Sequence, residues 1–358
     1  MYKLILPLLF KIDSETIHDN MLALGGFLNK MGLDKALSPI YNYEYQSLEQ
    51  KVFGLDFRNP VGLAAGFDKQ ARIVDFLPNL GFGFLNVGDV SSLPWPGNPK
   101  PRLFRLPKDQ ALINRLGQNN KGAEFLAGKI KHRKVSIPLG VSLVKTPDPN
   151  ILGGKAVEDF VSSFKMLYHV SEFSILNVSC PNTQEGKTFE EPMALNDLLL
   201  EINKIRSALN ITKPVLVKIS PDLSFEELEK VLQVCEKHKI DGYVLTNTTK
   251  SREGLETSID VIEGIGKGGL SGRPLRQKST EIIRHVYKIL KRPCIIGLGG
   301  INSAEAAYEK IKAGASLIQI YTGLVYEGPG LVKKINQGLV GLLKRDGFSN
   351  ISQAVGRG

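Results

Sequence analysis

The 358 residues are 42% hydrophobic and 23% charged, the balance of an ordinary globular protein with a large core, which excludes long disordered stretches. No run approaches the ~18 apolar residues that span a bilayer, and Met1 to Phe10 has an apolar patch but no small-residue cleavage site, which excludes an integral membrane protein and argues against a signal peptide. The net charge of +10 is uneven: residues 1–50 sum to −2 and residues 100–134 to +8, with no aromatic interleaving of the kind that marks a nucleic-acid surface.

In chain order, the first 35 residues read as two short helices. In the second, Ile17, Met21, Leu24, Leu28 and Met31 recur at 4-3-4-3 spacing, a one-sided apolar stripe capped by Asp13 or Ser14. That stripe either packs on the main body or lies in a membrane interface. Next, Phe53 to Phe57 alternates like a hairpin strand and is expected to plug the floor of a barrel.

Eight apolar, β-branched runs follow: Val61–Gly66, Phe84–Val90, Leu139–Val144, Ser174–Cys180, Pro214–Ser220, Gly242–Thr248, Cys294–Gly300 and Leu317–Gly323. Helical stretches such as Phe225–Lys239 and Ala304–Ala313 separate most of them, which predicts a parallel sheet covered by helices. On pattern alone an open doubly wound sheet remains an alternative. The polar residues that end run after run favour a closed (β/α)8 TIM barrel, whose active site is built at that end of the strands. Residues 91–138 and 249–290 interrupt the alternation and are read as binding loops. The chain divides into a helical extension, 1–50, and a barrel, 51–358.

The chemistry lies at the strand ends. Gly299-Gly300 and Tyr321-Thr322-Gly323 follow the last two strands, where barrels often bind phosphate through backbone N–H groups. Lys218, set among aliphatics, either forms a barrel ion pair or reaches an anionic group such as a reduced flavin ring. Asn114, Asn177, Asn182 and Asn247 are turn residues singly; together they offer donors and acceptors to a flat imide-like ring, and Lys69 could pair with a carboxylate. Cys180, followed by Pro181-Asn182, is a buried small hydrophobe or a general base. The three cysteines are widely spaced, so neither a disulfide framework nor a metal site is expected.

Taken together, Ala64 to Lys69, Pro101 to Leu106, Asn114 to Gly117, Asn177 to Asn182, Thr246 to Thr249, Gly268 to Gly272 and Gln319 to Gly323 closely resemble the dihydroorotate dehydrogenases, over residues 50 to about 345. The extension and the Pro-Arg-Leu-Phe-Arg-Leu segment resemble the membrane-associated, quinone-reducing class 2. The resemblance implies FMN as cofactor and oxidation of dihydroorotate to orotate in pyrimidine biosynthesis. Cys180 would remove the C5 proton while C6 delivers hydride to the flavin. It assigns the substrate to Lys69, Asn114, Asn177, Asn182, Asn247 and Thr248. FMN falls to Ala65, Gly66, Asp89, Ser142, Asn177, Lys218, Thr246, Gly272, Gly300, Tyr321 and Thr322. A quinone would enter near Arg105 and Tyr321, with the protein peripheral to the cytoplasmic face of the cell membrane and no nucleic-acid or obligate protein partner.

Four positions depart from the class 2 pattern. Cys180 stands for its serine, as in the soluble class; Gln118 stands for phenylalanine, Asp89 for Ser/Thr and Ser142 for asparagine. An ionised, unpaired Asp89 would disfavour an anionic reduced flavin. These departures keep open a soluble-type enzyme using fumarate or a nicotinamide partner, and a flavin-binding barrel with an altered substrate.

Overall fold

A computed structural model of the chain describes residues 2–179, 189–209 and 212–358. Eight strands form the barrel: β1 (Val61–Leu63), β2 (Phe84–Val90), β3 (Leu139–Leu143), β4 (Phe173–Asn177), β5 (Val215–Ile219), β6 (Gly242–Leu245), β7 (Ile295–Leu298) and β8 (Leu317–Ile320). Each pairs in parallel with the next, and β8 returns to β1 with Ile318 opposite Val61. That last pairing closes the sheet and removes the open alternative. Most of the expected runs overshoot at their C-terminal ends; residues such as Ala64 to Gly66 and Thr246 to Thr248 leave the ladder and form the rim.

Side chains two apart on a strand share a face. Phe84, Phe173, Ile175, Leu216, Val244, Ile296 and Leu317 form one interior cluster with Val52 and Phe57. The last two come from an antiparallel hairpin, Gln50–Val52 with Leu55–Phe57, so the floor plug expected at 53–57 is present. Glycines make room for the rings of the barrel and the plug: a Cβ at Gly140 would lie 2.2 Å from the Phe173 ring, and one at Gly242 2.7 Å from Phe53. Two residues further up, the same inward faces carry Asn86, Asn177, Lys218, Thr246 and Gln319. The interior is thus apolar below and polar above.

The two interruptions meet. Residues 91–138 supply strands Leu103–Leu106 and Ala111–Asn114, and residues 249–290 supply Gly269–Gly272. The three form an antiparallel sheet in which Asn114 is opposite both Leu103 and Gly269.

The extension folds as α1 (Tyr2–Leu9) and α2 (Ser14–Lys30), with Asp13 accepting from the Thr16 N–H at 2.9 Å as the cap. The stripe read from spacing is not the most buried face. Leu22 and Gly25 are buried, the latter against Ile73 and Phe76. Ile17 and Leu28 are half-buried, and Met21, Leu24 and Met31 are exposed. A polar anchor fixes the orientation instead. Arg102 donates from Nη2 to Glu15 Oε1 at 2.7 Å and from Nε to Glu15 Oε2 at 3.0 Å, and its Nη1 binds the carbonyls of Pro96 and Asn98. Both residues are buried. Burial alone would raise the Glu15 carboxyl, but the hydrogen bonds and charge of Arg102, with Lys100, hold it below its ordinary value.

Glu15→Gln leaves Arg102 without its counter-charge and should weaken docking of α2 by on the order of 3 kcal/mol. Because the native Glu15 value is depressed, the wild-type contribution is complete above about pH 4.3 and is lost as pH falls through the lowered value. Limited proteolysis of the extension should therefore accelerate in the variant at neutral pH and in the wild type on acidification. Equal cleavage rates at neutral pH would remove this pair as the anchor.

Candidate active site

Successive strands place polar groups in a row along the rim. The Ser142 hydroxyl on β3 donates to Asp89 Oδ1 on β2, and Asn177 Nδ2 at the end of β4 donates to Asp89 Oδ2 at 2.9 Å. After β6, Asn247 Nδ2 donates to Asn177 Oδ1 at 3.3 Å and to the Ser179 carbonyl at 3.1 Å, while Asn247 Oδ1 accepts from the Thr248 N–H at 2.8 Å. Between them on β5 stands Lys218, 6% exposed, with no hydrogen-bond or ion-pair partner among the described residues. Asp89, Asn177, Lys218, Thr246, Asn247 and Thr248 line one pocket; Ser142 stands behind Asp89.

The other walls come from the remaining loops. Ala65 and Gly66 follow β1, and the Gly66 N–H donates to the Gly88 carbonyl at 2.6 Å. Lys69 donates to Asn119 Oδ1 at 2.7 Å, and Asn114 Nδ2 donates to the Gly269 carbonyl at 3.2 Å. Gly272 and Gly300 have φ of 103° and 70°; a Cβ would lie 2.3 Å from the Gln110 carbonyl oxygen and 2.5 Å from Arg276 Cα respectively, so only glycine fits. Thr322 shares a 2.8 Å hydrogen bond with Ser271. Cys180 and Asn182 lie outside the described residues, so nothing places them relative to this pocket.

A second, apolar cavity of about 350 Å³ lies between the extension and the barrel. Ile17, Met21, Leu24 and Leu28 face it from α2, which explains the half-exposed stripe: these side chains border a void rather than a packed core. Leu103, Leu112 and Tyr321 border both this cavity and the polar pocket. Burial pushes the Tyr321 hydroxyl above its ordinary value. Arg105 also borders the apolar cavity, donating to Ser14 Oγ at 2.8 Å and to the carbonyls of Leu9 and Ile12, with Phe10 stacked 4.7 Å away. Arg105 and Tyr321, named together from the sequence, do share one wall system.

A family model described as dihydroorotate dehydrogenase matches residues 47–343. The dihydroorotate dehydrogenase (quinone) of Gloeobacter violaceus is 42% identical over 357 residues, covering 99% of this chain and 98% of the relative. That of Christiangramia forsetii is 45% identical over 343 residues, covering 94% and 98%. A solved structure of the Eimeria tenella enzyme in complex with ferulenol superposes with a TM-score of 0.84 at 30% identity, covering 96% of this chain and 95% of that one. The chain belongs to the dihydroorotate dehydrogenase family.

Dihydroorotate dehydrogenases of this kind carry FMN, and the pocket's own chemistry fits it. Among the described residues, Thr246 Oγ1 and Gln319 Nε2 are buried without a hydrogen-bond partner, as are both polar atoms of Asn86. Buried polar groups are normally satisfied, so unpartnered ones around an unpaired lysine fit a polar, anionic group. Gly272 and Gly300 line the same pocket without side chains, so their backbone could approach a phosphate there.

Two members of the cavities, Gln319 and His18, and one residue behind them, Asn119, escaped the sequence reading. Gln319 lay in view within Gln319 to Gly323, but its inward direction only follows from the register with Gly62. Asn119, which holds Lys69, had no signal beyond its neighbours. His18 borders the apolar cavity, edge-on to Phe67 at 4.9 Å and stacked on Tyr321 at 6.4 Å; burial lowers its ring below the ordinary value, which favours the neutral form.

Lys218→Met should weaken FMN retention at least about tenfold, since a charge-assisted contact is lost. The apoprotein should melt no lower than wild type, because an unpaired buried ammonium disappears. Flavin fluorescence on dilution and a thermal melt check the two halves. An unaltered affinity would mean that Lys218 serves the barrel and not the cofactor.

Proposed function

We propose that this chain oxidises dihydroorotate to orotate on FMN bound in the polar pocket and passes the electrons to a quinone in the apolar cavity. The observation that carries this reading is the adjacency of the two cavities. One is lined by amides and lysines suited to an anionic, imide-like ring, the other is almost wholly apolar, and Leu103, Leu112 and Tyr321 form the wall between them. When bound, FMN supplies a two-electron acceptor that can be reloaded from one side and emptied from the other.

In this reading Ala65, Gly66, Thr246, Gly272, Gly300, Tyr321 and Thr322 hold FMN, and Lys218 offsets negative charge on it. Asn114, Asn177, Asn247 and Thr248 orient the substrate ring, and Lys69, steadied by Asn119, meets its carboxylate. Cys180 as base and Asn182 as a further substrate contact rest on the family resemblance. Asp89 and Ser142, assigned to the cofactor from that resemblance, bond one another. Arg105 holds the α1–α2 connection closed over the apolar cavity and borders the path of the quinone.

The same reading makes the protein peripheral to a membrane. No helix among the described residues is long and apolar enough to cross one. Yet the outer face of the extension presents Leu4, Leu8, Phe27, Met31 and Ile40, the first 80% exposed, as an apolar surface that a bilayer interface would cover.

Anaerobic addition of L-dihydroorotate should bleach the flavin's visible absorbance; a protein that stays yellow would refute the substrate. Deleting residues 1–35 should leave that bleaching intact while slowing reoxidation by a long-chain quinone at least about tenfold, because the cavity loses one wall. Equal quinone turnover in the truncated chain would reduce the extension to a structural element.

A further inference from the structure

Asp89 and Ser142 replace the residues that the family pattern leads one to expect, and they do so as neighbours. A carboxylate can only accept hydrogen bonds, so the group that Asn177 presents to Asp89 Oδ2 at 2.9 Å has to be its NH2. That fixes the other end of the amide. Asn177 Oδ1 then faces Asn247 Nδ2 at 3.3 Å and the Ser179 hydroxyl at 3.3 Å, both donors. Asn247 in turn has its carbonyl oxygen towards the Thr248 N–H. The acceptor-only group at position 89 thus fixes the NH2 end of Asn177, while Asn247 is directed independently by the Ser179 carbonyl and the Thr248 N–H. A hydroxyl at position 89, able to donate or accept, would leave Asn177 held only at its oxygen end, by the 3.3 Å bonds from Asn247 and Ser179.

Ser142 completes the arrangement. It is fully buried, and its hydroxyl donates to Asp89 Oδ1, leaving Oδ2 for Asn177. Its backbone is opposite Gly88 in the β2–β3 ladder, which brings its side chain to Asp89 across neighbouring strands. Asparagine at 142 would offer a longer side chain with both donor and acceptor ends, and the two positions would no longer match. After these bonds are counted, Asn177 retains one amide proton and Asn247 one carbonyl lone pair with no partner among the described residues. That is a donor on one pocket-lining amide and an acceptor on the next, the kinds of group that an imide ring's C=O and N–H require.

We propose that Asp89 is a positioning residue which, held by Ser142, anchors Asn177 beside the backbone-fixed Asn247 for the substrate ring, and that Asp89 and Ser142 act as one unit. The inference rests on the proposed activity. It does not require Asp89 to touch the cofactor.

The test is spectral titration of the FMN-loaded full-length protein with orotate, in wild type, D89N, S142A and the double variant. D89N and S142A should each raise the orotate Kd about tenfold with FMN still bound. The double variant should be no weaker than D89N alone, since both remove the same orientation. The KM for dihydroorotate should rise with the Kd while the KM for quinone stays put, which a general loosening of the fold would not reproduce. Should D89N fail to accumulate as a yellow protein, S142A, which removes only a hydroxyl, reads the same quantity. D89N binding within twofold of wild type, or single losses that simply multiply in the double, overturns the inference. A wild type that binds no orotate overturns the activity and this inference together.

Discussion

The constraint from which the rest of the structure follows is the filling of a closed eight-stranded barrel. Inward positions on every strand must be filled in layers. Here the lower layer is filled by Phe84, Phe173, Ile175 and Leu317 together with Val52 and Phe57 of the hairpin, which seals it against water. With the floor dry and rigid, the next inward position on each strand can carry a polar group without drawing solvent into the core. Asn86, Lys218, Thr246 and Gln319 occupy that layer, and their unpartnered atoms are tolerable because a polar cofactor can lie over them. Apolar floor and polar ceiling are two parts of one arrangement, set by the period of two along each strand.

What lies above the ceiling comes from chain segments far apart in sequence. The sheet of Leu103–Leu106, Ala111–Asn114 and Gly269–Gly272 joins the two interruptions by pairing residues more than 150 positions apart, and it is what brings Asn114 to the pocket. The extension is tied to the same region by Arg102, which binds Glu15 on α2 and two carbonyls of the Pro-rich loop at once. Arg105, one strand face away, ties the α1–α2 connection. Two arginines of one short strand region thus hold both sides of the apolar cavity, and much of the local excess of positive charge in residues 100–115 is structural.

The barrel was legible in the sequence because its signals are local: runs of β-branched residues, helical spacing, and polar residues at the ends of runs. The helix Ala304–Ala313 was placed to the residue for the same reason. The pocket residues that end strands, such as Lys218 and Asn247, were legible with it. Three things were not. The pairing of the two interruptions depends on long-range register, which spacing within either segment does not encode. The burial of α2 by Leu22 and Gly25 depends on which face meets Ile73 and Phe76, and the stronger apolar stripe pointed elsewhere because it borders a cavity. Asn119 and His18 act through partners distant in sequence, Lys69 and Tyr321, and carry no pattern of their own.

The departures from the family pattern show the same limit from another side. Read one at a time, Asp89 looks like a charge that would trouble a flavin, and Ser142 like a lost amide. In the structure each supplies what the other lacks: the acid needs donors and the hydroxyl is one, with Asn177 as the second. Both carboxylate oxygens of Asp89 hold a donor, so the acid stands at the rim as a satisfied hydrogen-bond acceptor. The exchange also changes what the rim can do, since an acceptor-only group holds the NH2 end of Asn177 while backbone groups hold Asn247. Two substitutions that each weaken the resemblance when read singly are, as a pair, hydrogen-bonded to one another and to Asn177.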